Sequence, residues 1–285
     1  MATTTDMELR PISPVAGVEI RGLDLAEPLD ALSQARISQA ILDHHVVVFK
    51  DQALEPQHQL DFTQRFGELE EHVIRLRDGN KAPALHVISN LDAQGHPTSK
   101  PYSHGNYFWH TDKSYHAVPS FSTLLHAVEL PPVGGDTQFA NMHLAYEAMS
   151  DGRKRELAGL RLVHSWEASR RNTGNRPATE DEKRDRPPVN HPLVRTHPDT
   201  GRKSLYCGIH VSHVEGIPLD ESKAFLSDLL AEATQDQFVY SHAWQAGDLV
   251  MWDNRCLLHQ ATANFDMDQH RRVLHRTVIR GTVPF

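Results

Sequence analysis

The chain has 285 residues, 39% of them hydrophobic and 23% charged, which fits a globular protein with a core of its own and excludes a disordered or fibrous one. A formal net charge of -8 argues against nucleic acid as a partner, because phosphate backbones need a basic surface. No run approaches the roughly 18 apolar residues of a membrane span, and the N-terminal MATTTDMELRPIS lacks a basic-then-apolar leader, so no membrane partner is expected.

The predicted elements describe one domain over 1–285. Leu29, Leu32, Ile37 and Ile41 recur at helical spacing across 28–43. The run from His45 to Phe49 reads as a buried strand. Pro56 is placed to open a helix over 56–66. Residues 84–88 read as a strand and 142–159 as helical. Residues 166–190 are polar, charged and punctuated by proline, which predicts a surface loop, with a mobile lid as the functional alternative. Pro198-Asp199-Thr200-Gly201 marks a hairpin turn. A helix follows over 219–234, then strands over 238–244, 248–252 and 272–279. Strands on both sides of helical inserts predict an all-β core with flanking helices, for which a jelly roll is the natural architecture. Cys207 and Cys256 form no CxxC, so reduced thiols and a cytoplasmic location are expected.

Histidine is abundant, at 20 copies, so no single one is informative. The pattern Trp109-His110-Thr111-Asp112 is more useful. On a strand, His110 and Asp112 would share a face, and a second histidine would complete two imidazoles and one carboxylate with open positions. That donor set suits non-haem Fe(II) oxygenases. Two other pairs compete. His197-Pro198-Asp199 carries turn chemistry, and His213-Val214-Glu215 runs into Gly216-Ile217-Pro218. Downstream stand His259 and Arg271-Arg272-Val273-Leu274-His275-Arg276. On a strand, Arg272 and Arg276 share one face, which would be costly inside a barrel unless anions paired with them. Gly134-Gly135-Asp136-Thr137 predicts a tight turn or close backbone approach, with a hydroxyl beside it. A zinc hydrolase could use the same ligand types, and a non-catalytic metal-binding β-barrel would need them but not two inward arginines.

The segments AGVEIRGLDLAEPL, VVVFKDQ, FTQRFGELEEH, WHTDKSY, LPPVGGDTQF, HPLVRTHPDTGRKSLY, HVEGIP, AGDLVMWDNRCLLH and RRVLHR together resemble the taurine dioxygenase and 2,4-dichlorophenoxyacetate dioxygenase (TauD/TfdA) family. From GRKSLY to CLLH the chain is nearer the herbicide-degrading branch. The resemblance implies a double-stranded β-helix of the cupin-like jelly-roll type. It also implies dependence on Fe(II), 2-oxoglutarate and O2, with hydroxylation of a small anionic substrate. Carried over by position, His110, Asp112 and His259 would bind the iron. Thr137 and Arg272 would hold the distal carboxylate of 2-oxoglutarate, and Arg276 would face the substrate's acidic group. His72 and Asn106 match substrate-contacting positions. An aryloxyalkanoate or other carboxylate is the expected substrate, with an alkylsulfonate releasing sulfite as the alternative. A homo-oligomer is compatible with the sequence. Two departures stand out. The loop before the arginine pair is longer than usual, which makes Arg271 a rival to Arg272. Lys113, where relatives carry small or apolar residues, reads as a surface or supporting charge.

Overall fold

The valine run sets the architecture. Val46–Phe49 is buried along its whole length, and its side chains feed two different cores. Val46 and Val48 join Leu125, Val250, Trp252 and Leu274 on one face. Val47 and Phe49 join Leu124, Leu249, Met251 and Ile279 on the other. This period-two division explains why the strands here read as unbroken apolar runs: both faces of the sheet are covered.

The computed structural model describes residues 7–70, 84–100 and 104–285. The large sheet runs in the order Glu8–Pro11, Val18–Arg21, Val46–Phe49, Leu249–Asp253, Ser120–Glu129, Val273–Arg280 and His86–Ser89. A smaller sheet, in the order Val239–His242, Thr137–Asn141 and Leu257–Ala261, lies against it. Phe139 and Trp252 close the space between the two sheets, with ring centroids 5.4 Å apart. Helices Ala31–His44 and Pro56–Gln64 cover the outer face of the large sheet through Ile37, Ile41 and Phe62. Helix Met142–Ala148 covers the small sheet, and helix Leu219–Ala233 packs against that helix and the strand Val211–Val214. This is the jelly-roll core with flanking helices that the sequence predicts.

The expected helix at 28–43 begins at Ala31 because the Asp30 side chain accepts the Ser33 N–H as an N-cap. The expected helix at 142–159 is two, because Met149 is extended and Ser150 caps a new start. The loop expected at 166–190 holds two short helices, Trp166–Asn172 and Glu180–Asp185. The second is held by a Thr179–Glu182 capping box and buries no residue, so it leaves no apolar period to read.

His45 and His143 are buried between the helices and the sheets, their rings 5.3 Å apart. Burial, chiefly, lowers their pKa values to about 3 and about 4. The unfolded chain takes up these protons near pH ~6.5, whereas the folded chain does not. Their stabilising contribution is therefore complete above that pH and is lost as pH falls towards 4, at up to about 1.4 kcal/mol per pH unit for each group. Thermal melts of His143→Asn are expected to lose less Tm between pH 7 and pH 5 than the parent does. Parallel curves would remove His143 from this account.

Candidate active site

Leu257–Ala261 carries His259 into the space between the sheets, and His110 docks beside it. The His110 N–H donates to the His259 carbonyl at 3.0 Å, and the His259 N–H donates to the His110 carbonyl at 2.7 Å. The strand expected through 110–112 is thus a single bridge, and Asp112 already lies in a turn. Asn254 does what strand pairing does not. Its Oδ1 accepts the Asp112 N–H at 3.3 Å, its carbonyl accepts the Thr111 hydroxyl at 2.7 Å, and its Nδ2 donates to Thr123 Oγ1 at 2.9 Å. The Thr123 hydroxyl in turn donates to Asp112 Oδ2. One donor atom from each of His110, Asp112 and His259 then lies within 4.8 Å of the others.

The electrostatics fit a divalent cation. Burial, as the main cause, lowers the pKa of His110 and drives that of His259 well below the ordinary value, so both imidazoles are neutral donors. The His110 Nδ1–H is directed to the Phe108 carbonyl at 2.7 Å, which leaves the Nε2 lone pair facing Asp112 Oδ1 at 4.0 Å. His259 Nδ1 is buried without a partner among the described residues. For Asp112, burial raises the pKa, but Arg276, His259, His110 and the Thr123 hydroxyl outweigh it, and the carboxyl is held ionised.

The arginine ambiguity resolves by geometry. Arg271 is exposed and pairs with Glu129 at 2.8 Å. Arg272 is 4% exposed and points into the cavity that His110, Asp112 and His259 line. Its Nε donates to the Gly135 carbonyl at 2.8 Å, and one terminal nitrogen donates to Thr137 Oγ1 at 3.4 Å. Gly135 has φ 74°, and a Cβ there would sit 3.1 Å from Arg272 Cδ, so the close approach expected of Gly-Gly is what lets the guanidinium in. Among the described residues no carboxylate pairs with Arg272, and burial lowers its pKa to about 10. Thr137 Oγ1 also accepts from Trp244 Nε1 at 3.0 Å. With two donors on its oxygen, its own proton is free to point into the cavity.

Arg276 stands where this cavity meets a larger outer one, with a terminal nitrogen 3.6 Å from Asp112 Oδ1. Asn106 lines both cavities; His72 lies outside the described residues. Lys113 is not a surface charge. It is 9% exposed, adopts a left-handed φ of 54°, pairs with Glu70 at 3.2 Å and lines the outer cavity beside Asp112. The competing pairs are engaged elsewhere. His197 Nε2 bonds to Asp253 Oδ2 at 3.0 Å, while Asp199 pairs with Arg255 at 2.6 Å. Glu215 is exposed beside Arg161. Sequence reasoning missed Thr123, Trp244 and Asn254, although Asn254 lies inside the quoted WDNR. It also missed Gly208, where a Cβ would sit 2.9 Å from the Trp109 carbonyl.

Thr123→Val removes the hydroxyl that orients the Asp112 carboxylate. Binding of Mn(II) at the triad, followed by calorimetry, is expected to weaken by roughly 10- to 100-fold. Unchanged affinity would show that Asp112 needs no such support.

The family model described as "Taurine catabolism dioxygenase TauD, TfdA family" matches residues 8–278. The chain is 37% identical to the alpha-ketoglutarate-dependent 2,4-dichlorophenoxyacetate dioxygenase of Cupriavidus pinatubonensis, over 96% of this chain and 98% of that one. It is 34% identical to the (S)-phenoxypropionate/alpha-ketoglutarate-dioxygenase of Sphingobium herbicidovorans, covering 95% and 94%. The crystal structure of AAD-2 in complex with Mn(II) and N-oxalylglycine superimposes with a TM-score of 0.87 at 36% identity, covering 98% of each chain. With matching fold, matching sequence and a two-histidine, one-carboxylate centre, the chain belongs to the TauD/TfdA family.

Proposed function

We propose that this enzyme is an Fe(II)- and 2-oxoglutarate-dependent dioxygenase that hydroxylates an aryloxyalkanoate or a similar small carboxylate while 2-oxoglutarate is converted to succinate and CO2. The observation that carries the reading is Arg272. A guanidinium buried without a carboxylate partner among the described residues, beside Thr137 and in the same cavity as a three-ligand site, calls for an anionic co-substrate that also reaches the metal. The distal carboxylate of 2-oxoglutarate meets that demand. A zinc hydrolase or a non-catalytic metal-binding β-barrel gives Arg272 no anion to hold.

His110, Asp112 and His259 would hold the iron on one side and leave the cavity side open. Iron bound there supplies the activation of O2. Arg272 and the Thr137 proton would fix 2-oxoglutarate, with Trp244 turning the Thr137 hydroxyl towards it. Arg276 would bind the substrate carboxylate, and Asn106 and His72 are assigned to the substrate's surroundings. Leu125, Trp252 and Ile88 wall the inner cavity and limit water. Because Asp112 supplies a carboxylate ligand, hydroxylation is the reaction assigned. When the hydroxylated carbon bears an ether oxygen, the product collapses to a phenol and a carbonyl compound.

Residues 1–285 are assigned to one domain, in which 166–190 walls the outer cavity through Trp166, Arg170 and Arg186. No helix among the described residues is long and apolar enough to cross a membrane. Cys207 and Cys256 are buried and unpaired, which supports a reducing, cytoplasmic setting.

With Fe(II), 2-oxoglutarate and O2, aryloxyalkanoates are expected to drive succinate and phenol formation, whereas alkylsulfonates would release sulfite if that alternative held. His110→Ala is expected to abolish turnover. Arg276→Ala is expected to raise the substrate KM by roughly tenfold or more, far above its effect on the KM for 2-oxoglutarate. Equal losses for the two would show that the arginines are wrongly assigned.

A further inference from the structure

The outer cavity opens from the triad at His110, Asp112 and Arg276 and ends on the helix Trp166–Asn172 and the segment after Glu180–Asp185. Rings mark the way out. His110 and His210 are 6.0 Å apart, His210 and Tyr115 4.9 Å, and Tyr115 and Trp166 5.1 Å. A flat substrate ring leaving the metal therefore has an aromatic wall to lie against. The far end of that wall is cationic. Arg186 sits over the Trp166 ring at 4.8 Å and Arg170 at 5.6 Å.

The far end offers donors and little to receive them. Arg170 is 8% exposed; its Nε donates to the Arg176 carbonyl, and among the described residues its terminal nitrogens have no carboxylate. Among the described residues Arg186 likewise makes no ion pair, and the buried Trp166 Nε1 has no partner. Among the described residues the acid lining this cavity end is Glu182, which takes two bonds from Arg176 at 2.8 and 2.9 Å and the Thr179 N–H at 2.9 Å and also feels the Arg170 charge, so arginines outnumber carboxylates here. A chlorinated or bare phenyl ring would bring no acidic acceptor to the terminal nitrogens of Arg170 and Arg186 or to Trp166 Nε1.

We propose that the preferred substrate is dianionic: an aryloxyalkanoate whose ring carries a second acidic group opposite the ether oxygen. The alkanoate carboxylate lies at Arg276, the ring lies along Tyr115 and Trp166, and the ring substituent lies between Arg170 and Arg186. This rests on the aryloxyalkanoate reading and narrows it.

The test compares kcat/KM for 4-carboxyphenoxyacetate and phenoxyacetate, read as substrate-dependent succinate. The parent enzyme is expected to favour the ring carboxylate by roughly tenfold or more, the scale of one charge-assisted hydrogen bond. In Arg186→Met, a change at a half-buried position, that ratio is expected to fall towards one. Arg186→Glu is expected to reverse it in favour of 4-(aminomethyl)phenoxyacetate, a change that a purely structural role for Arg186 would not produce. Turnover of phenoxyacetate or 2,4-dichlorophenoxyacetate with no advantage for the ring carboxylate, or a ratio indifferent to Arg186, would overturn the proposal and leave the aryloxyalkanoate reading standing. Failure of every aryloxyacetate, with succinate driven by other carboxylates, would overturn both.

Discussion

The structure depends on keeping the Asp112 carboxylate ionised inside the protein. An isolated carboxylate in such a place would cost several kcal/mol and take up a proton instead. Here Arg276 faces it, Thr123 donates to it, and two neutral imidazoles stand beside it. The jelly roll makes this arrangement rigid. His110 is fixed by two backbone bonds to His259, and Asn254 ties the following turn to the large sheet's own strand end. Displacing any of these would leave a buried charge without compensation, so the cation-binding geometry and the stability of the core are coupled.

A second buried charge follows the same logic with the opposite sign. Arg272 enters the cavity only because Gly135 lacks a side chain and offers its carbonyl to Nε. Asn264 supports the same turn, its Oδ1 accepting the Gly135 N–H at 2.8 Å. The loop before Arg272 thus packs on the Gly-Gly turn. Asp112 and Arg272 thus line one cavity with opposite charges, the arrangement that the proposed binding of 2-oxoglutarate would use.

Much of this was legible in the sequence, for physical reasons. Helices with an apolar period, such as Ala31–His44, and strands buried on both faces, such as Val46–Phe49, announce themselves through side-chain spacing. The triad and the Arg272 and Arg276 pair were legible because ligand chemistry restricts residue type at each position. The supporting network was not. Thr123 looks like any β-branched strand residue, and Trp244 like any aromatic; their roles arise from contacts across long sequence separations. The same holds for the Trp166–Asn172 and Glu180–Asp185 helices, whose polar composition hides their function as the wall of the outer cavity. Of the two readings open for Lys113, a surface or a supporting charge, burial beside Asp112 favours the second, and strand alternation could not decide it because the pairing does not extend past His110.

The central claim is that one cavity takes a divalent metal at the triad and 2-oxoglutarate at Arg272 as a linked pair. Anaerobic calorimetric titration of 2-oxoglutarate, with and without one equivalent of Mn(II), tests it most directly. The account predicts one 2-oxoglutarate per chain, bound at least about tenfold more tightly with metal present, and a loss of that binding in Arg272→Met while Mn(II) still binds. Binding of 2-oxoglutarate that is indifferent to both metal and Arg272 would contradict it.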